Sequence, residues 1–196
     1  MKILGITGGI GSGKSSVLRL LESNNIIAIN SDKIISVIIQ NDQDIQQFCN
    51  KKLNVNLYDD EINFQINKQR LAHVLFNDKN LLHEFEKIIW PKALIHIKKQ
   101  ITITNHFFLL EASKLFEAKW DQICDRVITI EANKEICIAR VLNRSNLSRR
   151  QISIRMNNQL SSKHRRYLSD FILDNNFTFK ELEEKVKYFS KNNLIT

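Results

Sequence analysis

The sequence predicts an α/β fold with a largely parallel β-sheet. Short apolar runs, typical of buried strands, alternate with longer segments whose apolar residues recur at helical spacing. Parallel strands need long crossover connections, and this alternation provides them. A chain of 196 residues, 43% hydrophobic and 26% charged, can bury the core of one domain of ordinary size.

Five apolar runs are predicted to be the strands of this sheet. The first is short and apolar after Lys2, which suits a parallel strand buried on both faces. The second run ends in an asparagine and the third in a glutamate, so polar groups are expected where these strands stop. The five runs are Lys2–Thr7, Ile26–Asn30, Phe107–Glu111, Arg126–Ile130 and Phe171–Leu173.

Helices are predicted between and after these strands. They run from Lys14 to Ser23 and from Asp32 to about Gln40, and the signals from 41 to about 100 are mainly helical. Pro91 lies inside that region and is expected to kink or break the helix there. Two capping-box patterns predict further helix starts, at Ser148-Arg149-Arg150-Gln151 and at Thr178-Phe179-Lys180-Glu181.

A glycine-rich loop follows the first predicted strand. All five glycines of the chain lie in its first 13 residues, whereas a tight turn needs only one or two. Residues 8–15 read GGIGSGKS and match the phosphate-loop pattern G-x-x-x-x-G-K-[ST] at every fixed position, between a strand and a helix. The motif is a strong signal for nucleoside triphosphate binding, although it does not name the reaction.

Each residue type in this loop has a physical role toward a triphosphate. Backbone N–H groups from Gly9 to Lys14 are expected to cradle the phosphates, next to the positive end of the following helix. Lys14 is expected to reach the β- and γ-phosphates, and the Ser15 hydroxyl to ligate Mg²⁺. The predicted nucleotide-binding residues are Gly9, Gly11, Ser12, Gly13, Lys14, Ser15 and Ser16.

Two carboxylates are expected to complete the site. Asp32 follows the second strand, and ligands of parallel sheets bind at the carboxyl ends of strands, so Asp32 is expected near the γ-phosphate. There it would act as general base toward an acceptor hydroxyl, while a plain N-cap is the alternative. Glu111 ends the third strand and is expected to help hold Mg²⁺, the alternative being a solvated strand-end glutamate.

A basic stretch follows the fourth predicted strand. Arginines neutralise charge on a transferring phosphoryl group, and a lid that carries them excludes water. A solvated helix face explains most of these residues, and nucleic-acid binding is a rival, although only Tyr167 nearby offers an aromatic platform. The residues are Arg140, Arg144, Arg149, Arg150, Arg155, Lys163, Arg165 and Arg166.

Composition and one missing motif narrow the function classes. The net charge of +8 fits either phosphate-bearing partners or a solvated basic surface. Three cysteines without a C-x-x-C pair favour free thiols in a reducing compartment. The first apolar run is too short for a signal peptide, and no run approaches about 18 apolar residues, so a cytoplasmic protein without membrane partners is expected.

Residues 133–136, NKEI, lack the aspartate of the N-K-x-D motif that a GTPase would carry.

Several segments together resemble the dephospho-coenzyme A kinases. Residues 5–16, GITGGIGSGKSS, are similar to the N-terminal signature of that family, and Asp32 in Asn30-Ser31-Asp32 corresponds to the last aspartate of its D-A-D element. Residues 110–117, LEASKLFE, are similar to its strand-plus-P-L-L-F-E segment, and Arg140 and Arg144 are spaced like its R-x-x-x-R lid pair. The closing R-x-x-x-Q…A-D…D-N pattern is resembled by Arg155, Gln159, Lys163, Ser169-Asp170 and Asp174-Asn175.

Three positions depart from the family pattern. Asn30 stands where D-A-D has its first aspartate. Trp90-Pro91 replaces the usual H-P pair, so no role carries over from that histidine. Ser113-Lys114 replaces the proline and first leucine of P-L-L-F-E. These departures concern the acceptor side and leave the phosphate loop, Asp32 and the lid arginines unchanged.

The resemblance implies an activity: ATP-dependent phosphorylation of the ribose 3′-hydroxyl of dephospho-coenzyme A, giving coenzyme A and ADP in the final step of coenzyme A synthesis. It implies Asp32 as catalytic base, with Lys14, Arg140 and Arg144 acting on phosphates. ATP and Mg²⁺ are the expected cofactors, and the expected partner is a small molecule, not nucleic acid. Another P-loop kinase for nucleotides or small molecules and a non-enzymatic basic nucleic-acid binder remain as alternatives.

The resemblance also implies a division of the chain. Residues 1–40 and 96–196 are expected to form a P-loop NTPase-type core, a parallel sheet flanked by helices. Residues 41–95 are expected to form a helical insertion that binds the acceptor. A helical lid is expected at about residues 140–165.

Overall fold

Five strands and nine helices are found in the part of the chain that the structure describes. The computed structural model describes residues 2–23, 25–53, 66–101 and 106–193. The strands are β1 (Ile3–Gly8), β2 (Ile26–Asn30), β3 (Phe107–Glu111), β4 (Arg126–Glu131) and β5 (Phe171–Asp174). The helices are α1 (Lys14–Leu21), α2 (Ser31–Asn41), α3 (Gln43–Lys52), α4 (Lys68–Asn77), α5 (Lys79–Ile101), α6 (Lys134–Arg144), α7 (Arg149–Asn157), α8 (Ser162–Leu168) and α9 (Phe179–Asn193), with a short 3₁₀-helix at Trp120–Ile123.

The strands form one sheet in the order β2-β3-β1-β4-β5, and every pairing is parallel. The α/β prediction is therefore confirmed, and each predicted strand agrees with the structure to within one residue at either end. Asn30 lies opposite Glu111, and Gly8 lies opposite Ile130. Because the strands are parallel and in register, their carboxyl ends share one edge of the sheet.

The central strand β1 forms the middle of the core. Leu4 and Ile6 are fully buried, as expected for a strand covered on both faces. Gly5 lies between them, and a Cβ at this position would come within 2.9 Å of the Cys124 sulfur and 3.0 Å of a Leu115 methyl carbon. A larger residue would overpack the site, so close packing selects glycine here. The central position of β1 carries the loop that follows it to the middle of the carboxyl edge.

Helices α1 and α9 cover part of this core. Their buried residues recur at helical spacing, which makes one apolar face on each helix. The predicted end of α1 at Ser23 is two residues late, since the Glu22 N–H closes the helix on the Leu18 carbonyl. The residues that the two helices add to the cluster are Val17, Leu18, Leu21, Leu182, Val186 and Phe189.

Both predicted capping boxes are confirmed. The Ser148 N–H donates to Gln151 Oε1 at 2.8 Å, and the Gln151 N–H donates to Ser148 Oγ at 3.3 Å. The same reciprocal pair joins Thr178 and Glu181, at 2.9 Å and 3.3 Å. Each box satisfies two backbone groups that a helix start otherwise leaves without partners. The helices α7 and α9 begin directly after the first residue of the box, Ser148 or Thr178.

Contacts between Cα atoms divide the chain into two compact units. One holds the residues up to 30 and those from 106 to 193, with the whole sheet, and the other holds α2 to α5. The sequence-based division differs, because it assigns α2 and the last residues of α5 to the core. Residues 54–65 of the expected insertion lie outside the described residues. The acceptor-binding role of residues 41–95 therefore stays a prediction.

The predicted break at Pro91 is wrong, because α5 runs through this residue without interruption for 23 residues. Proline removes one backbone hydrogen bond and crowds the preceding turn, but Pro91 lies on the exposed side of the helix. Phe85 and Ile89 before it and Ala93 and Ile97 after it are buried at a spacing of four residues. Packing of this continuous face outweighs the local cost. Among the helices described, none is long and apolar enough to cross a membrane.

Replacing Pro91 with alanine should stabilise the protein. The substitution restores the missing N–H inside α5, and we expect the free energy of unfolding to rise by about 1–2 kcal/mol after the loss of proline's rigidity in the unfolded chain. Urea unfolding compared with the parent protein measures this. The exposed Lys98→Ala variant in the same helix is the control and should change stability by less than about 0.5 kcal/mol. A destabilised Pro91→Ala protein would contradict the view that proline carries a net cost in this helix.

Candidate active site

The phosphate loop packs tightly against the rest of its unit. Gly11 and Gly13 have φ angles of +80° and +103°, which favour glycine. A Cβ at Gly11 would lie 2.4 Å from the Cys137 carbonyl oxygen, and one at Gly13 would lie 2.2 Å from Asn175 Nδ2. The sequence analysis attributed these glycines to the close approach of a ligand. The structure adds that the protein's own packing already excludes side chains here.

Lys14 begins α1 and folds back along the loop. Its Nζ donates to the carbonyl oxygens of Gly8 at 2.9 Å and Gly9 at 3.2 Å, and the residue is only 8% exposed. The N-cap of α1 is Gly13, which makes no side-chain capping bond. A helix N-terminus attracts anions, and in this first turn the Ser16 N–H donates to the Gly13 carbonyl at 3.0 Å.

Ser15 and Glu111 are brought together as the sequence predicts for a cation site. The Ser15 hydroxyl donates to Glu111 Oε1 at 3.4 Å, across the adjacent ends of α1 and β3. Asn30 Nδ2 donates to the other carboxylate oxygen of Glu111 at 2.7 Å, an interaction that the sequence analysis missed. The parallel register that pairs Asn30 with Glu111 explains this contact. Hydroxyl and carboxylate oxygens are ligands that Mg²⁺ prefers.

Asp32 lies in the first turn of α2, which begins at Ser31. It is exposed and occupies the second helical position, so the N-cap alternative does not describe it. A carboxylate in the first turn is favoured by the helix dipole. Asp32 belongs to the helical unit, and its role as general base stays a prediction.

Arg140 is joined to the phosphate loop through Asn175, a buried residue just after β5. Arg140 donates to the carbonyl oxygen of Asn175 at 3.0 Å and to its Oδ1 at 3.4 Å. Asn175 Nδ2 donates to the Ser12 carbonyl at 2.8 Å, and the Asn175 N–H donates to the Glu131 carbonyl at 2.7 Å. Asn175 thus connects α6, β4 and the loop. Arg144, one turn later, is exposed on the last turn of α6.

A buried ion pair lies beside the loop and was missed by the sequence analysis. Arg165 Nε and NH2 donate to the two carboxylate oxygens of Glu131 at 2.7 and 2.9 Å, and Thr129 Oγ1 donates to Oε1 at 2.7 Å. Arg165 is 7% exposed and Glu131 2% exposed. A Cβ on Gly9 would lie 3.2 Å from Arg165 NH2, so the guanidinium packs against the loop backbone.

Burial alone would raise the pKa of Glu131, but the hydrogen bonds and charge of Arg165, with help from Thr129 and Ser162, hold that pKa below its ordinary value of 4.5. A depressed carboxyl pKa stabilises the fold above about 4.5, and this contribution is lost as the pH falls through the lowered value. The pair is therefore ionised at neutral pH. In the sequence, Arg165 is one of eight basic residues, and no local signal distinguishes it.

Breaking this pair should be costly. Arg165→Met leaves the Glu131 carboxylate buried without compensation, and we expect a loss of about 3–5 kcal/mol in the free energy of unfolding at pH 7. Protonation of Glu131 relieves that penalty, so the gap between the variant and the parent should narrow at pH 4. Urea unfolding at both pH values measures the effect. The double variant Glu131→Gln with Arg165→Met is the control and should regain most of the loss; a double variant as unstable as the single one would contradict the explanation.

The fold and the loop together define the class of this protein. A central parallel strand leads through GGIGSGKS into a helix, and the buried lysine and the hydroxyl–carboxylate pair lie at the same edge of the sheet. This arrangement is that of a P-loop nucleotide-binding protein. The family model described as "Dephospho-CoA kinase" matches residues 2–181, and the chain belongs to that family.

Similar proteins agree with this assignment over nearly the whole chain. A dephospho-CoA kinase of Dehalococcoides mccartyi is 31% identical over 204 residues, covering 99% of this chain and 98% of the relative. One of Fusobacterium nucleatum is 28% identical, covering 95% and 96%. The structure of a dephospho-CoA kinase from Campylobacter jejuni is similar in fold, with a TM-score of 0.68, 24% identity and complete coverage of both chains.

The activity that follows is ATP-dependent phosphorylation of dephospho-CoA, in the biosynthesis of coenzyme A. The chain is thus a kinase, a phosphotransferase with ATP as a substrate. The family and the activity that the sequence analysis expected are both confirmed. The assignment of roles to individual residues is a separate matter, which rests on the geometry.

Proposed function

We propose that the phosphate loop binds ATP with Mg²⁺ and that Asp32 directs the ribose 3′-hydroxyl of dephospho-CoA at the γ-phosphate. The observation that carries this proposal is the grouping of Lys14, Ser15 and Glu111 at the carboxyl edge of the sheet. The Lys14 cation can neutralise phosphate charge, and the Ser15 hydroxyl and Glu111 carboxylate can hold Mg²⁺. A phosphoryl transfer site needs both functions in addition to its anion-binding backbone.

Lys14 and the start of α1 hold the triphosphate in this proposal. The Lys14 ammonium is anchored by two loop carbonyls, at the start of α1. Anchoring keeps the charge in place before the nucleotide arrives, so little reorganisation is needed during transfer. The dipole of α1 adds to the attraction for the phosphates.

Ser15 and Glu111 are the residues that would hold Mg²⁺. Their oxygens are of the hard type that this ion requires, and they lie close to each other at the sheet edge. Bound there with the nucleotide, Mg²⁺ would neutralise charge that develops on the β- and γ-phosphate oxygens. Asn30 holds one oxygen of Glu111, which fixes the orientation of the carboxylate.

Asp32 is proposed to orient the acceptor hydroxyl and to take its proton. It follows β2 at the carboxyl edge of the sheet, and its exposed carboxylate is accessible to a substrate. A hydroxyl is a poor nucleophile, and a positioned carboxylate both aims it and accepts the proton late in transfer. Residues 41–95 are proposed to bind the remainder of the acceptor.

Arg140 and Arg144 are proposed to act on the transferring phosphoryl group from a lid at about residues 140–165. The bond from Arg140 through Asn175 to Ser12 supports a role close to the triphosphate. Arg144 is exposed, which leaves it accessible to a bound nucleotide. A lid of this kind would exclude water that otherwise hydrolyses ATP.

A cytoplasmic location and the absence of a nucleic-acid partner are part of the proposal. All three cysteines are free, and burial raises the pKa of Cys49 to about 11. Free, unreactive thiols suit a reducing compartment. Several arginines pair with carboxylates of their own unit, which favours structural roles for them over phosphate-backbone binding: Arg126 with Asp170, Arg149 with Glu135, Arg165 with Glu131 and Arg166 with Asp174.

A substrate panel tests the proposal as a whole. ADP release is measured with dephospho-CoA, with nucleoside monophosphates and with RNA, each offered with ATP and Mg²⁺. We expect turnover only with dephospho-CoA, because nucleoside monophosphates and RNA lack the remainder of this acceptor, which residues 41–95 are proposed to bind. Mass analysis of the product should place the new phosphate on that hydroxyl. Turnover with a nucleoside monophosphate instead would favour another P-loop kinase activity, and tight RNA binding without turnover would favour the nucleic-acid binder.

Asp32→Asn tests the general base. The amide keeps the shape of the side chain but removes its charge and basicity, so we expect turnover to fall by roughly 100- to 10,000-fold. ATP affinity and melting temperature should stay near those of the parent, since Asp32 is exposed. Glu184→Gln, an exposed carboxylate on α9 outside the proposed site, is the control and should keep full turnover. Normal turnover in Asp32→Asn would move the search for the base to Glu111.

A further inference from the structure

Gln159 connects the phosphate loop to the segment that follows β3. Its Oε1 accepts a hydrogen bond from the backbone N–H of Ile10 at 3.0 Å. Its Nε2 donates to the backbone carbonyl of Ser113 at 3.2 Å. The two partners lie 149 and 46 residues away along the chain. One side-chain amide therefore bridges two backbone segments at the carboxyl edge of the sheet.

The backbone around Gln159 is itself firmly held. The Leu160 N–H donates to Glu117 Oε1 at 2.8 Å, and the Leu160 carbonyl accepts a bond from Arg165 NH1. The Gln159 N–H donates to the Met156 carbonyl at 3.1 Å, at the end of α7. These bonds fix the turn between α7 and α8 to the core of its unit. Gln159 is thus held beside the loop by hydrogen bonds of its own backbone and of Leu160.

The loop needs such support at Ile10. This residue lies between Gly9 and Gly11, which place few limits on the backbone, so contacts from outside must define its conformation. The Ser12 N–H is bonded within the loop, to the Gly9 carbonyl at 3.2 Å. The Ile10 N–H is bonded instead to Gln159, which leaves the phosphates to the other loop amides and to the first turn of α1.

We propose that Gln159 is a positioning residue for ATP. It fixes the phosphate loop through the Ile10 N–H, and it connects the C-terminal end of α7 to that loop. The inference rests on the proposed role of the loop in ATP binding. Gln159 touches no phosphate in this scheme. It holds the loop in the shape that the triphosphate needs, and it ties any movement of α7 and α8 to the position of Ile10.

Gln159→Met tests the inference. Methionine keeps the length of the side chain but neither accepts from Ile10 nor donates to Ser113, so the loop loses its anchor. We expect kcat/KM for ATP to fall about 10-fold, mainly through KM, while KM for dephospho-CoA changes by less than about twofold. Gln122→Met is the control, a glutamine exposed on the short 3₁₀-helix, and it should behave like the parent.

Backbone amide exchange measured by NMR gives a second readout that needs no activity. In the nucleotide-free parent, the Ile10 amide should exchange slowly, and Gln159→Met should accelerate it at least about 10-fold while the amides of β4 stay protected. Fast exchange at Ile10 in the parent, or an ATP KM in Gln159→Met within twofold of the parent, would overturn the inference. A parent protein without turnover on dephospho-CoA would instead count against the proposed function, and the exchange result would still stand.

Discussion

The architecture of this protein depends on the absence of a side chain at Gly8 and at Gly13, the two ends of the phosphate loop. A Cβ at Gly8 would lie 2.2 Å from the Ile130 carbonyl, and one at Gly13 would lie 2.2 Å from Asn175 Nδ2. β4 and the turn after β5 can therefore approach the loop this closely only because these two positions are glycine. Asn175 and the Glu131–Arg165 pair occupy the space so created, and each bonds to or packs against the loop. The packing of the phosphate loop and that of the surrounding core are thus coupled, and a single methyl group at Gly8 or Gly13 would disturb both.

Much of the fold could be predicted because its signals are local. The strands are short apolar runs, α7 and α9 begin at capping boxes, and the phosphate loop is a contiguous motif. The closeness of Ser15 and Glu111 could also be predicted, since parallel strands bring their carboxyl ends to one edge of the sheet. Pro91 was misjudged for the opposite reason. Its effect on α5 is decided by the buried face of the whole helix, which a local rule does not weigh.

The supporting residues could not be predicted, because their partners are distant in the chain. Arg165 and Arg166 are neighbours of the same type, yet only Arg165 is buried, since Glu131 lies within its reach, 34 residues away. The bond between Gln159 and Ile10 joins residues 149 apart. The family resemblance includes Gln159, but only the tertiary geometry shows what Gln159 and Arg165 contact. Sequence patterns identified the groups proposed to meet the substrate but not those that hold them in place.

The order of the strands also determines when the sheet can form during synthesis. β1 pairs with β3 and β4, and Ile3 lies beside Phe108 while Leu4 lies beside Arg126. More than a hundred residues therefore separate the first strand from either neighbour, which takes about 5–25 seconds at ribosomal rates of about 5–20 residues per second. Such long-range parallel pairing is intrinsically slow. The strand at the centre of the finished sheet is made first and paired late, so its apolar residues and the glycine-rich loop remain exposed on the ribosome until most of the chain has emerged.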